Sequence, residues 1–306
     1  MEQNKFDFYD MTSLKSYNLD KSVRYQLNLL DTLDVFTRKH SENVASITCR
    51  LCEYMHCSKG FTIYCTTCAY LHDIGKLFIP FEVLQKPGAL TPEEREIIKK
   101  HTIHGYNLCM KDLQLRPYAT VALNHHEALN GSGYPNGLTL KEIPLEAQIV
   151  SVADQFEAIV SKRQYKTHID ISEALKIIIE DTKPTNDSST HTKVGKLNKF
   201  VVKKLLKVVL DDIYLEISYT QDYVEELKRE LSRFAQIEKY KEKMYDAKND
   251  KDKNYYLEGI KVLLKNNETL ENYEEIHKEY EEAYIMRKSM IDKLYDEIKI
   301  IKRLHV

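Results

Sequence analysis

The chain has 306 residues, with 45 Lys+Arg against 47 Asp+Glu and a formal net charge of -2. That balance excludes the basic field that DNA or an anionic membrane surface would call for, so neither is expected as a partner. The opening MEQNKFDFYD carries acids rather than an apolar core behind basic residues, and apolar stretches such as 200–210 are broken by lysines well short of the ~18 residues a membrane helix needs. A cytoplasmic protein is expected, and its six cysteines are too few for a disulfide scaffold.

Three regions are expected: a leader over 1–21, a helical domain over 22–216 and a helical tail over 217–306. In the domain, apolar residues recur at helical spacing in VFTRKHSENVASITCRLCEYM (35–55) and AQIVSVADQFEAIV (147–160). Thr91 followed by Pro92, Glu93 and Glu94 reads as an N-cap, a first-turn proline and first-turn acids. No alternating run of strand length occurs, so the fold class is all-α. A short helix at about 172–181 precedes a polar segment, 183–196, with Pro184 and Gly195, read as a mobile loop. All seven prolines lie at or before Pro184. Beyond them, residues 221–306 hold 18 Lys+Arg and 20 Asp+Glu and a lone glycine, Gly259. Such a composition predicts a long-helix hairpin or coiled coil, broken near 247–254, with Tyr240, Tyr245, Tyr273, Tyr280, Tyr284 and Tyr295 as a second packing face. Its expected role is packing or dimerisation, and no internal repeat is found.

Five histidines, His40, His72, His101, His125 and His126, sit in polar or glycine-bounded segments, and Asp73 and Asp154 join them. Neutral imidazole with carboxylate suits iron, manganese or zinc. In HDIGK (72–76), Gly75 is expected to end the helix straight after the His72–Asp73 pair. Side chains that would diverge by ~100° along a helix could then converge on an ion. The HHE at 125–127 likewise precedes a glycine-rich turn. A rival lies in Cys49-x2-Cys52 and Cys65-x2-Cys68, whose spacing approaches that of a tetrathiolate zinc site. Both pairs fall inside expected helices, so core packing is the favoured reading, with Cys57 and Cys109 outside the scheme.

The segments HDIGKLFIPFEVLQKPGALTPEEREIIKKHTIHGY (72–106), HHEALNGSGYPNGL (125–138) and IPLEAQIVSVADQFEAIVSKRQY (143–165) resemble the HD-GYP subgroup of the HD-domain metal-dependent phosphohydrolases. The resemblance runs over about residues 30–215. It implies an all-helical HD bundle, followed here by the helical tail, that hydrolyses cyclic dinucleotides: chiefly cyclic di-GMP, to linear pGpG and/or GMP, and in some members cyclic GMP-AMP. It also implies two divalent ions per chain, iron or manganese by preference, with zinc, nickel or magnesium as other occupants. Carried over by position, His40, His72, Asp73 and Asp154 hold one ion, and Asp73 bridges to a second held by His101, His125 and His126. A hydroxide shared by the ions would attack phosphorus in line.

Lys76 matches the lysine beside the scissile phosphate, so Asp73 and Lys76 are the expected catalytic residues. Gly131, Gly133, Tyr134 and Pro135 form the GYP-type loop, in which Tyr134 would stack on a guanine or touch a phosphate. Glu157, Arg163 and Lys166 occupy positions that face the dinucleotide in family members. The chain departs from the pattern at Glu157, where aspartate is usual, at Gln164, where proline is usual, and at Asn130, where aspartate is usual. Phe36 stands where some members carry a third-metal glutamate, so two ions are expected, with Asp31 and Asp34 solvated or supporting. His104 is either a support to the metal ligands or helix surface; His56, His168, His191, His277 and His305 are structural or exposed. Two other readings stay open: a metal-bearing cyclic-dinucleotide sensor, and a hydrolase of cyclic GMP-AMP. A homodimer through the C-terminal helices is expected.

Overall fold

The computed structural model describes residues 35–86, 88–162, 171–184, 194–265 and 267–306. Regular structure among these residues is helical, apart from an isolated antiparallel bridge between Asn130 and Thr139. The chain divides into two units, one running to Leu210 and taking in Ile300–Val306, the other Asp211–Lys299. Among the described residues no helix is long and apolar enough to cross a membrane.

The first unit opens with α1 (Val35–Tyr54) and α2 (Lys59–Leu71), joined by a turn in which His56 takes a left-handed φ of 57°. Ser58 caps α2 by accepting from the Phe61 amide at 3.3 Å. Small apolar and thiol side chains let the two helices approach closely: Ala45, Cys49, Cys52, Cys65 and Cys68 are all at most 1% exposed. All six thiols are free. Among the described residues no three of them come within reach of one ion, so the cysteines serve the core.

Helix α2 ends at Leu71, one residue before the His–Asp pair rather than after it, and a 3-10 turn follows over Ile74–Phe78. Gly75 is therefore not the left-handed stop that the sequence suggests. Its role is close approach: a Cβ there would lie 1.9 Å from the His101 carbonyl oxygen and 2.4 Å from the Gly105 amide. Next come α3 (Phe81–Leu84), α4 (Pro92–Lys99) and α5 (His101–Lys111). The start of α4 is a capping box: the Thr91 hydroxyl accepts from the Glu94 amide at 3.3 Å and the Glu94 carboxylate from the Thr91 amide at 2.8 Å. A 3-10 turn, Arg116–Tyr118, leads into α6 (Ala119–Asn124), and α7 (Leu145–Lys162) packs on α1. Helix α8 (Ile171–Glu180) ends the series before the segment expected to be a loop, of which 185–193 lie outside the described residues.

The second unit is built from most of α9 (Lys199–Asp246), together with α10 (Asp250–Leu263) and α11 (Tyr273–Ile301). Partners fall in number along α11 as they rise along α9: Gln221 with Tyr295, Phe234 with Tyr280, Lys241 with Glu274. The two helices therefore run antiparallel, as the sequence predicts. The hairpin is interrupted twice rather than once, at Ala247–Asn249 and again after Leu263, so α10 stands as a third helix. Its N-cap is Asn249, whose side chain accepts from the Asp252 amide at 2.8 Å. Phe234, Ile237, Ile260 and Tyr273 form the core, with Tyr240 and Tyr280 packed against it. The tyrosine face is only partly a packing face, since Tyr245 stays 71% exposed.

Candidate metal centre

Four of the five histidines expected to ligate are delivered by a helix or its end: His40 by α1, His72 by the cap of α2, His101 by the start of α5 and His125 by the cap of α6, with His126 in the turn that follows. Backbone carbonyls fix how three of these rings present themselves. Nδ1 of His72 donates to the Ala69 carbonyl at 2.6 Å and Nδ1 of His101 to that of Ile98 at 2.7 Å. Nδ1 of His125 is shared between the carbonyls of Ala122 at 3.1 Å and Val121 at 3.2 Å. A neutral imidazole that donates at Nδ1 keeps a lone pair at Nε2, and all three of these lone pairs turn toward Asp73.

The Asp73 carboxylate divides its oxygens between two groups. Oδ2 lies 3.2 Å from His72 Nε2 and 3.5 Å from His40 Nε2, while Oδ1 lies 3.3 Å from His101 Nε2 and 4.0 Å from His125 Nε2. Ligand atoms of Asp73, His101, His125 and His126 all lie within 4.8 Å of one another, as do those of His40, His72 and Asp73. Asp154, on α7, places Oδ1 3.0 Å from His40 Nε2 and 3.8 Å from His72 Nε2, and Oδ2 3.9 Å from His126 Nδ1. All seven residues singled out as metal ligands are thus gathered at one place.

The donor set is what a divalent ion needs. His101 Nε2 and His125 Nε2 face each other at 3.2 Å with both Nδ1 protons already given to carbonyls, so no hydrogen lies between two lone pairs. His72 Nε2 and Asp73 Oδ1 are buried without a hydrogen-bond partner among the described residues. Such atoms are costly unless a cation satisfies them. Burial lowers the pKa of His126 to about 4 and keeps those of His101 and His125 below the ordinary imidazole value, so the three are neutral near pH 7. Burial opposes the charge on Asp73, but the neighbouring Lys76 cation outweighs it and holds its carboxyl well below the usual range. Burial likewise opposes the charge on Asp154, which the hydrogen bond from His40 overcomes.

His40 differs from the others because its Nδ1 donates to the carboxylate of Glu157 rather than to a carbonyl. Burial disfavours its charge, yet Asp154 and Glu157 lift its pKa to about 10. An ion that takes Nε2 must therefore displace a proton. Glu157, expected to face the dinucleotide, is 1% exposed. Its oxygens also accept from Asn43 Nδ2 at 2.9 Å and Ser161 Oγ at 2.5 Å. This carboxylate orients His40 rather than lining an open substrate face.

Lys76 leaves the 3-10 turn with Nζ 2.5 Å from Asp73 Oδ2 and its side chain 22% exposed. Burial opposes its charge and Asp73 restores it, raising its pKa. Tyr134 stacks on His126 with centroids 4.8 Å apart, and Lys99 Nζ lies 5.5 Å from the Tyr134 centroid. The loop that carries Tyr134 and Pro135 is shaped by Glu127, to which the sequence alone assigns no role. This buried carboxylate accepts from the Asn136 amide at 2.7 Å and the Leu138 amide at 2.9 Å. Gly133 is required there, because a Cβ would lie 2.2 Å from the Ala128 amide. Asn130 turns inward and accepts from Ser132 Oγ at 2.7 Å. Arg163, Gln164 and Lys166 lie outside the described residues, as do Asp31, Asp34 and the Phe36 side chain.

A helical bundle that gathers this His–Asp constellation at one centre defines a class. The HD domain matches residues 24–189, more than half of the chain, and the chain belongs to the HD-domain family. Within that family its extended motif series resembles that of the HD-GYP subgroup. It is 45% identical over 157 residues to a cyclic di-GMP phosphodiesterase of Thermotoga maritima, covering 50% of this chain and 42% of that one. It is 50% identical over 100 residues to the cyclic di-GMP phosphodiesterase response regulator RpfG of Xanthomonas campestris, covering 32% and 26%. A 3'3'-cGAMP-specific phosphodiesterase of Vibrio cholerae is 31% identical over 194 residues, covering 63% and 40%. The chain thus spans less than half the length of these curated relatives.

Proposed function

We propose that this chain is a divalent-metal-dependent phosphodiesterase that opens cyclic di-GMP to linear pGpG and/or GMP. The observation that carries this is the Asp73 carboxylate, whose two oxygens face two separate sets of imidazole nitrogens with lone pairs to give. His40, His72, Asp73 and Asp154 would hold one ion and Asp73, His101, His125 and His126 the other, with iron or manganese as the preferred pair. Bound ions would supply a water of lowered pKa and neutralise charge on the phosphate. The chain's own part is to hold Nε2 lone pairs in place through carbonyls and Glu157, and to present Lys76 to the leaving oxygen. Tyr134, Gly133 and Pro135 would border the substrate. Arg163 and Lys166 are assigned to it by motif position alone. Relatives named for both cyclic di-GMP and cyclic GMP-AMP support the substrate class.

The test is an anaerobic assay of protein reconstituted separately with ferrous iron and manganese and offered cyclic di-GMP and cyclic GMP-AMP in parallel. Cleavage that is lost in Lys76→Ala and His125→Ala is the expected result. Tight binding without turnover in both metal forms would make the chain a sensor instead. We also propose a cytoplasmic homodimer through α9–α11, which a monomer in sedimentation at high concentration would refute.

A further inference from the structure

We propose that Phe78 and His104 form a stacking platform for one purine base of the substrate, an inference that rests on the phosphodiesterase reading above. Phe78 ends the 3-10 turn that carries Lys76, and the residue is 54% exposed. Its centroid lies 5.7 Å from that of His104, with the planes tilted by 41°. His104 sits three residues after the expected ligand His101 on α5, ~4.5 Å from it along the helix axis. A base joined through its ribose to a phosphate at the metal centre has this surface within reach.

The placement is rigid. At Gly75 the turn presses so closely on α5 that a Cβ would collide with the His101 carbonyl, and a Cβ on Gly105 would lie 3.3 Å from the Gly75 amide. Lys76, Phe78, His101 and His104 therefore move as one body. Phe81, three residues on in the chain, is 55% exposed as well. Tyr134, the aromatic that the motif would nominate for stacking, already lies against His126. Phe78 has an open ring to offer, and stacking on an aromatic face is tolerant of which purine is presented.

The experiment uses the full chain loaded with manganese, with Phe78→Leu, Phe78→Tyr and His104→Gln variants. An analogue of cyclic di-GMP carrying 2-aminopurine in place of one guanine reports stacking by loss of fluorescence, read in a stopped-flow mixer before turnover. Quenching is expected in the parent and in Phe78→Tyr and is expected to be lost in Phe78→Leu. The KM of Phe78→Leu for cyclic di-GMP should rise about tenfold, a smaller rise should follow in His104→Gln, and kcat and metal content should hold. Equal quenching and KM in Phe78→Leu and the parent would overturn the platform and leave the phosphodiesterase standing. A joint fall of kcat and metal content in both Phe78 variants would also overturn it, by making Phe78 a support of the fold. A parent protein that neither binds nor cleaves any cyclic dinucleotide would remove the phosphodiesterase reading and the platform with it.

Discussion

The two units of the chain treat buried polar groups in opposite ways. In the second unit such groups answer one another. Arg233 places a forked pair on Glu268, at 2.5 and 2.7 Å, and the Tyr273 hydroxyl accepts from Lys241 Nζ at 2.6 Å while donating to Glu238. In the first unit, the buried side-chain atoms without a partner among the described residues belong to Ser41, Asn43, Thr48, His72, Asp73 and Asn124. Two of these, His72 Nε2 and Asp73 Oδ1, point into the centre. A charged group that is satisfied by its neighbours holds a structure together, whereas one left unsatisfied is kept for something the chain does not contain.

The contrast can be broken most forcefully at Asp73. Asp73→Ala should lower phosphodiesterase activity by about 10³-fold or more and strip both ions; elemental analysis that still finds two metals per chain would refute the shared carboxylate. Gly75→Ala should destabilise the first unit by about 3 kcal/mol, read from the denaturant midpoint, because the clashing atoms are backbone and cannot swing aside. Glu157→Gln should weaken one ion by about 10- to 100-fold and spare the other, visible as a split in metal-titration isotherms.

A smaller effect concerns pH in the chelated protein. His126 has its pKa lowered to about 4 by burial, so between that value and the unfolded value near 6.5 the unfolded chain binds more protons than the folded one. Stability should then fall by about 2 kcal/mol from pH 7 to pH 5, with His101 and His125 acting in the same direction. The raised pKa of His40 contributes fully below 6.5 and is lost only as pH rises toward 10, so it does not offset this fall. Thermal melts at pH 7, 6 and 5 check the sign. Least of all, Glu268→Ala should cost about 1 kcal/mol in the second unit by removing the forked partner of Arg233, which keeps Glu230 and the Leu263 carbonyl, with metal content and turnover unchanged.

Much of this could be read from the residues alone. Apolar spacing placed α1 and α7 to within a few residues, and Thr91 marked the start of α4 because a capping box is a purely local device. The seven side chains that the structure gathers were legible partly from the His–Asp and His–His pairs and partly from the family resemblance. The end of α2 was not, since the 3-10 turn owes its position to α5 pressing on Gly75, a contact between segments some thirty residues apart. The role of Glu157 was hidden for the same reason: its partner His40 is 117 residues away in sequence. The second break in the tail, after Leu263, has neither proline nor glycine to mark it. Glu127 was visible in HHE, but only the fold shows that its oxygens turn toward the loop that follows.

That last carboxylate has a consequence for how a ligand is met. By taking the amides of Asn136 and Leu138, Glu127 sets the shape of the turn around Tyr134 while the chain folds. The freedom of those residues is surrendered then, before any encounter, so an arriving molecule has less order to impose on the loop and retains more of its contact energy as affinity.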